Sequence, residues 1–134
     1  MRRPGIDLTL VAVAAGGAVG AWARLGLAEM APTEPGRWPW GTFAANLIGC
    51  LLLGYAGTRL LERLPPSTYR RPFIGTGVCG GLTTFSTLQL EVVELGRDGH
   101  VLLAVLYLVV SVALGLVAIR LAAGLVRRAR LVPA

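Results

Sequence analysis

Four long apolar runs dominate the chain, at about 6–30, 40–61, 73–95 and 100–126. Each is long enough for the roughly 20 residues that a helix needs to cross a bilayer. The breaks between them carry stop signals. The loop 31–39 holds Pro32, Pro35 and Pro39 with Gly36, and Trp38 and Trp40 flank it as interfacial aromatics do. Pro65-Pro66-Ser67 ends the second run, and Arg97-Asp98-Gly99 makes a tight turn before the fourth. The pattern predicts an all-α membrane protein with four transmembrane helices in a single domain, residues 1–134, without clear internal repeats.

The third run differs from the others. Gly75, Gly77, Gly80 and Gly81 weaken the helix, and the hydroxyl residues Thr83, Thr84, Ser86 and Thr87 follow at once. The pattern predicts a third helix broken near its centre. Broken backbone at membrane depth survives only inside protein or beside water. Freed carbonyls there can hold a cation, and freed N–H groups can hold an anion. The plainer alternative is a flexible kink with hydroxyls bonded back to the preceding turn.

The first run could be taken for a signal peptide, because Arg2 and Arg3 precede it and Ala21-Trp22-Ala23 resembles a cleavage site. Arg24 follows immediately, and the run is long enough to span, so a membrane helix is expected. Composition agrees: 54% of the residues are hydrophobic and 15% charged, where soluble domains average about 25% charged.

The net charge of +6 comes entirely from arginine on the basic side. Arg2, Arg3, Arg59, Arg63, Arg70, Arg71, Arg120, Arg127, Arg128 and Arg130 fall on one side of a four-span topology; Arg37 and Arg97 fall on the other. The positive-inside rule then puts both termini in the cytoplasm, for a multi-pass protein of the cell (plasma) membrane. Arginines at run ends fit topology control and contact with membrane lipids better than a nucleic-acid face.

Several polar positions within the runs could carry chemistry. Arg24 lies inside the first span, where a charge costs about 2.5–3.5 kcal/mol on insertion scales, so it should face a polar cavity or reach water. Asn46 lies mid-span in the second run, as helix glue or as a donor to a passing ion. Tyr107 and Ser111 are four apart and share a helix face, lining a track or joining helices. The small-residue pairs Gly16/Gly20, Gly17/Ala21 and Gly77/Gly81 suit close helix contact and mark candidate assembly faces. Cys50 and Cys79 read as ordinary small core residues and His100 as a boundary residue. Glu91 and Glu94 sit near a helix end, where carboxylates are common. With no acid–base pair beside a nucleophile, no phosphate loop and no redox motif, the chain does not read as an enzyme.

Together these motifs resemble the Fluc-type fluoride channels, also called the CrcB family. The first span contributes Gly16-Gly17-Ala18-Val19-Gly20-Ala21-Trp22-Ala23-Arg24, and the second Gly41-Thr42-Phe43, Asn46 and Gly49. The third contributes Gly77-Val78-Cys79-Gly80-Gly81-Leu82-Thr83-Thr84-Phe85-Ser86-Thr87, and the fourth Tyr107 and Ser111. The resemblance covers nearly the whole chain in order and spacing. It implies an antiparallel dual-pore dimer with a structural sodium ion at its centre, held by backbone carbonyls at positions matching Gly80 and Thr83. It implies pore-lining roles for Asn46, Phe85, Ser86, Thr87, Tyr107 and Ser111, and a vestibule role for Arg24. The implied function is passive, fluoride-selective export from the cytoplasm, which confers fluoride resistance.

Two departures stand out. The family usually carries a second phenylalanine three residues after the first, and here that position is Leu88. A leucine lacks the electropositive ring edge, which implies that one of two pores is impaired in a dimer containing this chain. The strong arginine bias implies one-way insertion and pairing with an oppositely oriented homologue. A non-conducting or partly conducting partner subunit of a heterodimeric channel is the alternative. A small multidrug exporter fits less well, because its first span would need an embedded glutamate and here only Asp7 and Glu29 lie at the ends of that span.

Overall fold

A computed structural model describes residues 7–129; the expectations for Arg2, Arg3 and Arg130 lie outside them. The described residues are helical and contain no strand. Helix α1 is Leu8–Met30, α2 is Trp40–Glu62 and α5 is Val101–Arg128. Each is long and apolar enough to cross a membrane; at 1.5 Å per residue, α1 and α2 run to about 34 Å. Between α2 and α5 lie a π-helix, Pro72–Cys79, a single turn α3, Gly80–Leu82, and then α4, Phe85–Arg97. Thr83 and Thr84 separate α3 from α4 in extended conformation, with φ/ψ of −80°/149° and −147°/116°.

Local chemistry sets these ends. The Asp7 carboxylate accepts from the Thr9 N–H and caps α1. The Thr84 hydroxyl caps α4 by accepting from the Thr87 N–H. In the loop 31–39, Gly36 takes a φ of +72°, and the His100 ring packs where a Cβ on Gly36 would stand. This contact puts the 31–39 loop and the 98–100 turn at one end. At the opposite end Arg127 holds Glu62 through two nitrogens, Nη2 at 2.8 Å and Nε at 3.0 Å from Oε1. Helices α2 and α5 therefore run parallel, and the end with Glu62 and Arg127 also carries Arg59, Arg63 and Arg128.

Helix α1 crosses the π-helix backbone to backbone. A Cβ on Gly16 would overlap the Phe73 carbonyl, on Gly20 the Val78 carbonyl, and on Gly81 the Gly17 carbonyl. The pairs Gly16/Gly20 and Gly77/Gly81, expected as candidate assembly faces, are therefore used inside this chain, whereas a Cβ on Gly17 would meet open space. Removing side chains is what lets two helices approach this closely without a hydrophobic drive between them. Large apolar side chains face outward in turn, among them Leu10, Trp22, Leu102, Leu121 and Leu125, as suits a lipid-facing exterior.

Candidate functional site

The interruption between α3 and α4 is held from α2. The Asn46 amide donates through Nδ2 to the Thr84 carbonyl at 3.0 Å, and its Oδ1 accepts from the Thr84 N–H at 2.7 Å. One side chain thus satisfies both backbone groups of an extended residue. A second anchor lies one turn along α2, where Gly49 leaves room for the Thr83 methyl group.

These bonds divert backbone donors. In a continuous helix the Thr84 N–H would serve the Gly80 carbonyl and the Thr87 N–H would serve the Thr83 carbonyl. Here Thr84 N–H goes to Asn46, and Thr87 N–H goes to the Thr84 hydroxyl at 3.2 Å. The carbonyls of Gly80 and Thr83 lose those helical partners. Both residues line an apolar groove of about 540 Å³ that also takes in Asn46, Phe85, Leu88 and Ser111. Hard carbonyl oxygens without their N–H donors are the donor type that a small alkali cation takes, so these two positions fit such an ion.

The side chains divide between two faces of the break. Phe85 points outward and is 64% exposed. Ser86 is exposed, with its hydroxyl 3.2 Å from that of Thr84. The Thr84 hydroxyl donates to the Thr87 hydroxyl at 3.0 Å. On the inner side, Thr84 and Thr87 share a 230 Å³ cavity with Arg24 and Thr42. Arg24 therefore borders a cavity whose lining is largely apolar and whose other polar groups are the hydroxyls of Thr42, Thr84 and Thr87. The Ser111 hydroxyl is buried and without a partner.

Two further positions are buried. Tyr107 is fully buried, and its hydroxyl donates to Glu91 Oε2 at 2.7 Å. Its single proton is committed to a carboxylate. Leu88 is 4% exposed and packs with Leu95, Ala104 and Tyr107, reaching the groove from that cluster.

Sequence reasoning passed over Glu91. It is buried, accepting from Tyr107 through Oε2 and from the Thr42 hydroxyl through Oε1 at 2.7 Å. It also lines a third cavity of about 380 Å³ at the helix ends, with Thr33, Pro39, Glu94 and Asp98 among others. The available signal was register: Thr84, Leu88, Glu91 and Leu95 are buried, spaced four, three and four apart, so Glu91 falls on the inward stripe of the helix. Polar contacts therefore run from the Arg24 cavity through Thr42 to Glu91 and on to the cavity at the helix ends.

A model of the CrcB-like proteins, Camphor Resistance (CrcB), matches residues 11–124. The chain belongs to this family. It is 58% identical to the fluoride-specific ion channel FluC 1 of Mycobacterium bovis, covering 91% of this chain and 92% of that one. It is 54% identical to FluC 1 of Mycolicibacterium paratuberculosis, over 90% and 92%. It is 42% identical to the fluoride-specific ion channel FluC 2 of Streptomyces avermitilis, over 72% and 61%. Members of this family are ion channels and not enzymes, in line with the absence of catalytic motifs.

Proposed function

We infer that the chain is a fluoride-specific ion channel subunit that lets fluoride leave the cytoplasm by passive permeation. The observation that carries this is 58% identity, across nine-tenths of the chain, to a protein named for that activity. The same relationship favours a conducting subunit over a non-conducting helper. The chain reads as four membrane crossings, the third being the interrupted segment from the π-helix through α4. Two copies, or this chain and an oppositely oriented homologue, pair antiparallel to enclose two pores. The exposed groove around Gly80 and Phe85 supports that reading, because a lone subunit leaves these residues open.

Fluoride is small and strongly hydrated, so its path must replace water with donors. Arg24 supplies charge at a vestibule, the hydroxyls of Ser86, Thr87 and Ser111 supply O–H groups, and Phe85 supplies its electropositive ring edge. Asn46 uses one amide proton on Thr84 and has a second for the ion. Tyr107 acts through Glu91 in this state. The carbonyls of Gly80 and Thr83 would hold a structural sodium ion, which supplies a fixed positive charge between the two subunits. Leu88 offers no ring edge at its position, and its packing gives it a supporting role beneath Tyr107.

Liposomes loaded with fluoride and carrying the purified chain, alone and with an oppositely biased homologue, test the reading through a fluoride electrode. Release above that of empty vesicles from either preparation is expected; no release from both refutes it. Robust release from the chain alone, with termini found on both faces, would refute one-way insertion while leaving the channel reading intact.

A further inference from the structure

Two buried side-chain polar atoms among the described residues lack a hydrogen-bond partner: the Ser111 hydroxyl and the indole Nε1 of Trp38. Both adjoin Tyr107. Ser111 lies one helical turn along α5, and the Trp38 ring meets the Tyr107 ring nearly at right angles, with centroids 5.2 Å apart. An unpaired buried donor costs about 1–3 kcal/mol, and such a group in a folded chain calls for an explanation. Two of them beside one residue point to a shared one.

The surrounding bonds narrow the choice. At this end of the polar route the Thr42 and Tyr107 hydroxyls both donate to Glu91. Each has a single proton, so neither can donate to a passing anion while the carboxylate holds it. An anion here would face a carboxylate and two hydroxyl oxygens turned toward it with lone pairs. The Trp38 N–H has no such commitment. It is covered within this chain alone, so its acceptor cannot be a side chain of a neighbouring subunit. Pro39, the next residue, lines the 380 Å³ cavity together with Glu91, so the chain beside Trp38 reaches that cavity while its ring packs on Tyr107.

We propose that the indole N–H of Trp38 is an anion-binding donor of the fluoride route at its Glu91 end. This rests on the channel reading above. A fluoride ion leaving the hydroxyl-lined stretch takes this N–H in place of a water molecule, and the aromatic group of Trp38, Trp40 and Phe43 holds the indole in place, with centroid separations of 5.5 to 5.9 Å. The competing account is structural: the N–H rests on the face of a neighbouring ring and never meets an ion.

The test uses assembled channel, active in liposome efflux, with its tryptophans labelled with ¹⁵N at the indole nitrogen. The Trp38 resonance is the one missing from Trp38→Phe, or, should that variant not fold, the one left after Trp22→Phe and Trp40→Phe. Sodium fluoride should move the Trp38 indole proton downfield, saturably, while sodium gluconate leaves it in place and Trp22 stays unmoved with both salts. Trp38→Phe should lower fluoride flux about 10- to 100-fold, the worth of one hydrogen bond to a charged group. A Trp38 resonance that ignores fluoride in a preparation that conducts overturns this proposal alone. A preparation that carries no fluoride with or without the homologue overturns the channel reading and this proposal with it.

Discussion

Replacing Asn46 by leucine removes the clamp on the helix interruption while nearly preserving side-chain volume. Two hydrogen bonds between helices are lost, Nδ2 to the Thr84 carbonyl and the Thr84 N–H to Oδ1. Polar contacts between membrane helices are worth about 0.6 kcal/mol on average and up to about 1.7, so the pair contributes about 1–3 kcal/mol. For a chain of this length 1 kcal/mol shifts the melting temperature by roughly 4 °C, which puts the expected drop at about 4–12 °C in detergent. The Thr84 N–H, once released, is free to turn back toward the Gly80 carbonyl, so the break itself should relax and fluoride efflux should fall to background. Asn46→Asp keeps the acceptor for the Thr84 N–H and sets an oxygen against the Thr84 carbonyl, so an intermediate loss is expected. An Asn46→Leu channel that melts as the parent does refutes the clamp. One that melts early and still conducts refutes the pore role while sparing the clamp.

Leu88→Phe overfills a packed position, which costs about 1–3 kcal/mol; melting should come earlier, whereas unchanged melting with raised flux would put residue 88 in an open pore. Gly81→Val drives methyl groups into the Gly17 carbonyl and should leave no folded protein, as judged by size-exclusion elution. Glu91→Gln keeps shape, removes the negative charge and loosens the hold on the Thr42 and Tyr107 protons, so fluoride flux should rise with melting little changed; parental flux would take the carboxylate off the route. Exchanging sodium for N-methylglucamine should lower the melting temperature if carbonyls of Gly80 and Thr83 hold the ion, and indifference to sodium would remove it.

The helices were legible because proline, glycine and arginine punctuate the apolar runs. The expected second run, 40–61, and the observed α2, Trp40–Glu62, differ by one residue. The weak stretch in the third run was legible too, since adjacent glycines followed by threonines favour a cap over a continued helix. What could not be read was pairing. Nothing local says that Asn46 bonds residue 84, that the glycines of α1 meet those of the π-helix, or that Tyr107 meets Glu91; these depend on which faces meet. Glu91 lies near a helix end, where carboxylates are common, yet register on α4 places it inward. Leu88 lacks a ring edge, and its contacts with Tyr107 and Leu95 make it part of the packing.

The interruption frees backbone groups of both signs, as helix breaks do. The carbonyls of Gly80 and Thr83 lose the Thr84 and Thr87 N–H groups to Asn46 and to the Thr84 hydroxyl. The Phe85 and Ser86 N–H groups, at the start of α4, lose the helical Gly81 and Leu82 carbonyls. A cation held by the carbonyls and an anion passing the start of α4 would therefore draw on different groups of one short segment, with side-chain donors such as Ser86, Thr87, Ser111 and Arg24 completing the anion's route. That separation also explains why Asn46, which touches both the backbone and the groove, is the residue whose loss should be felt at each.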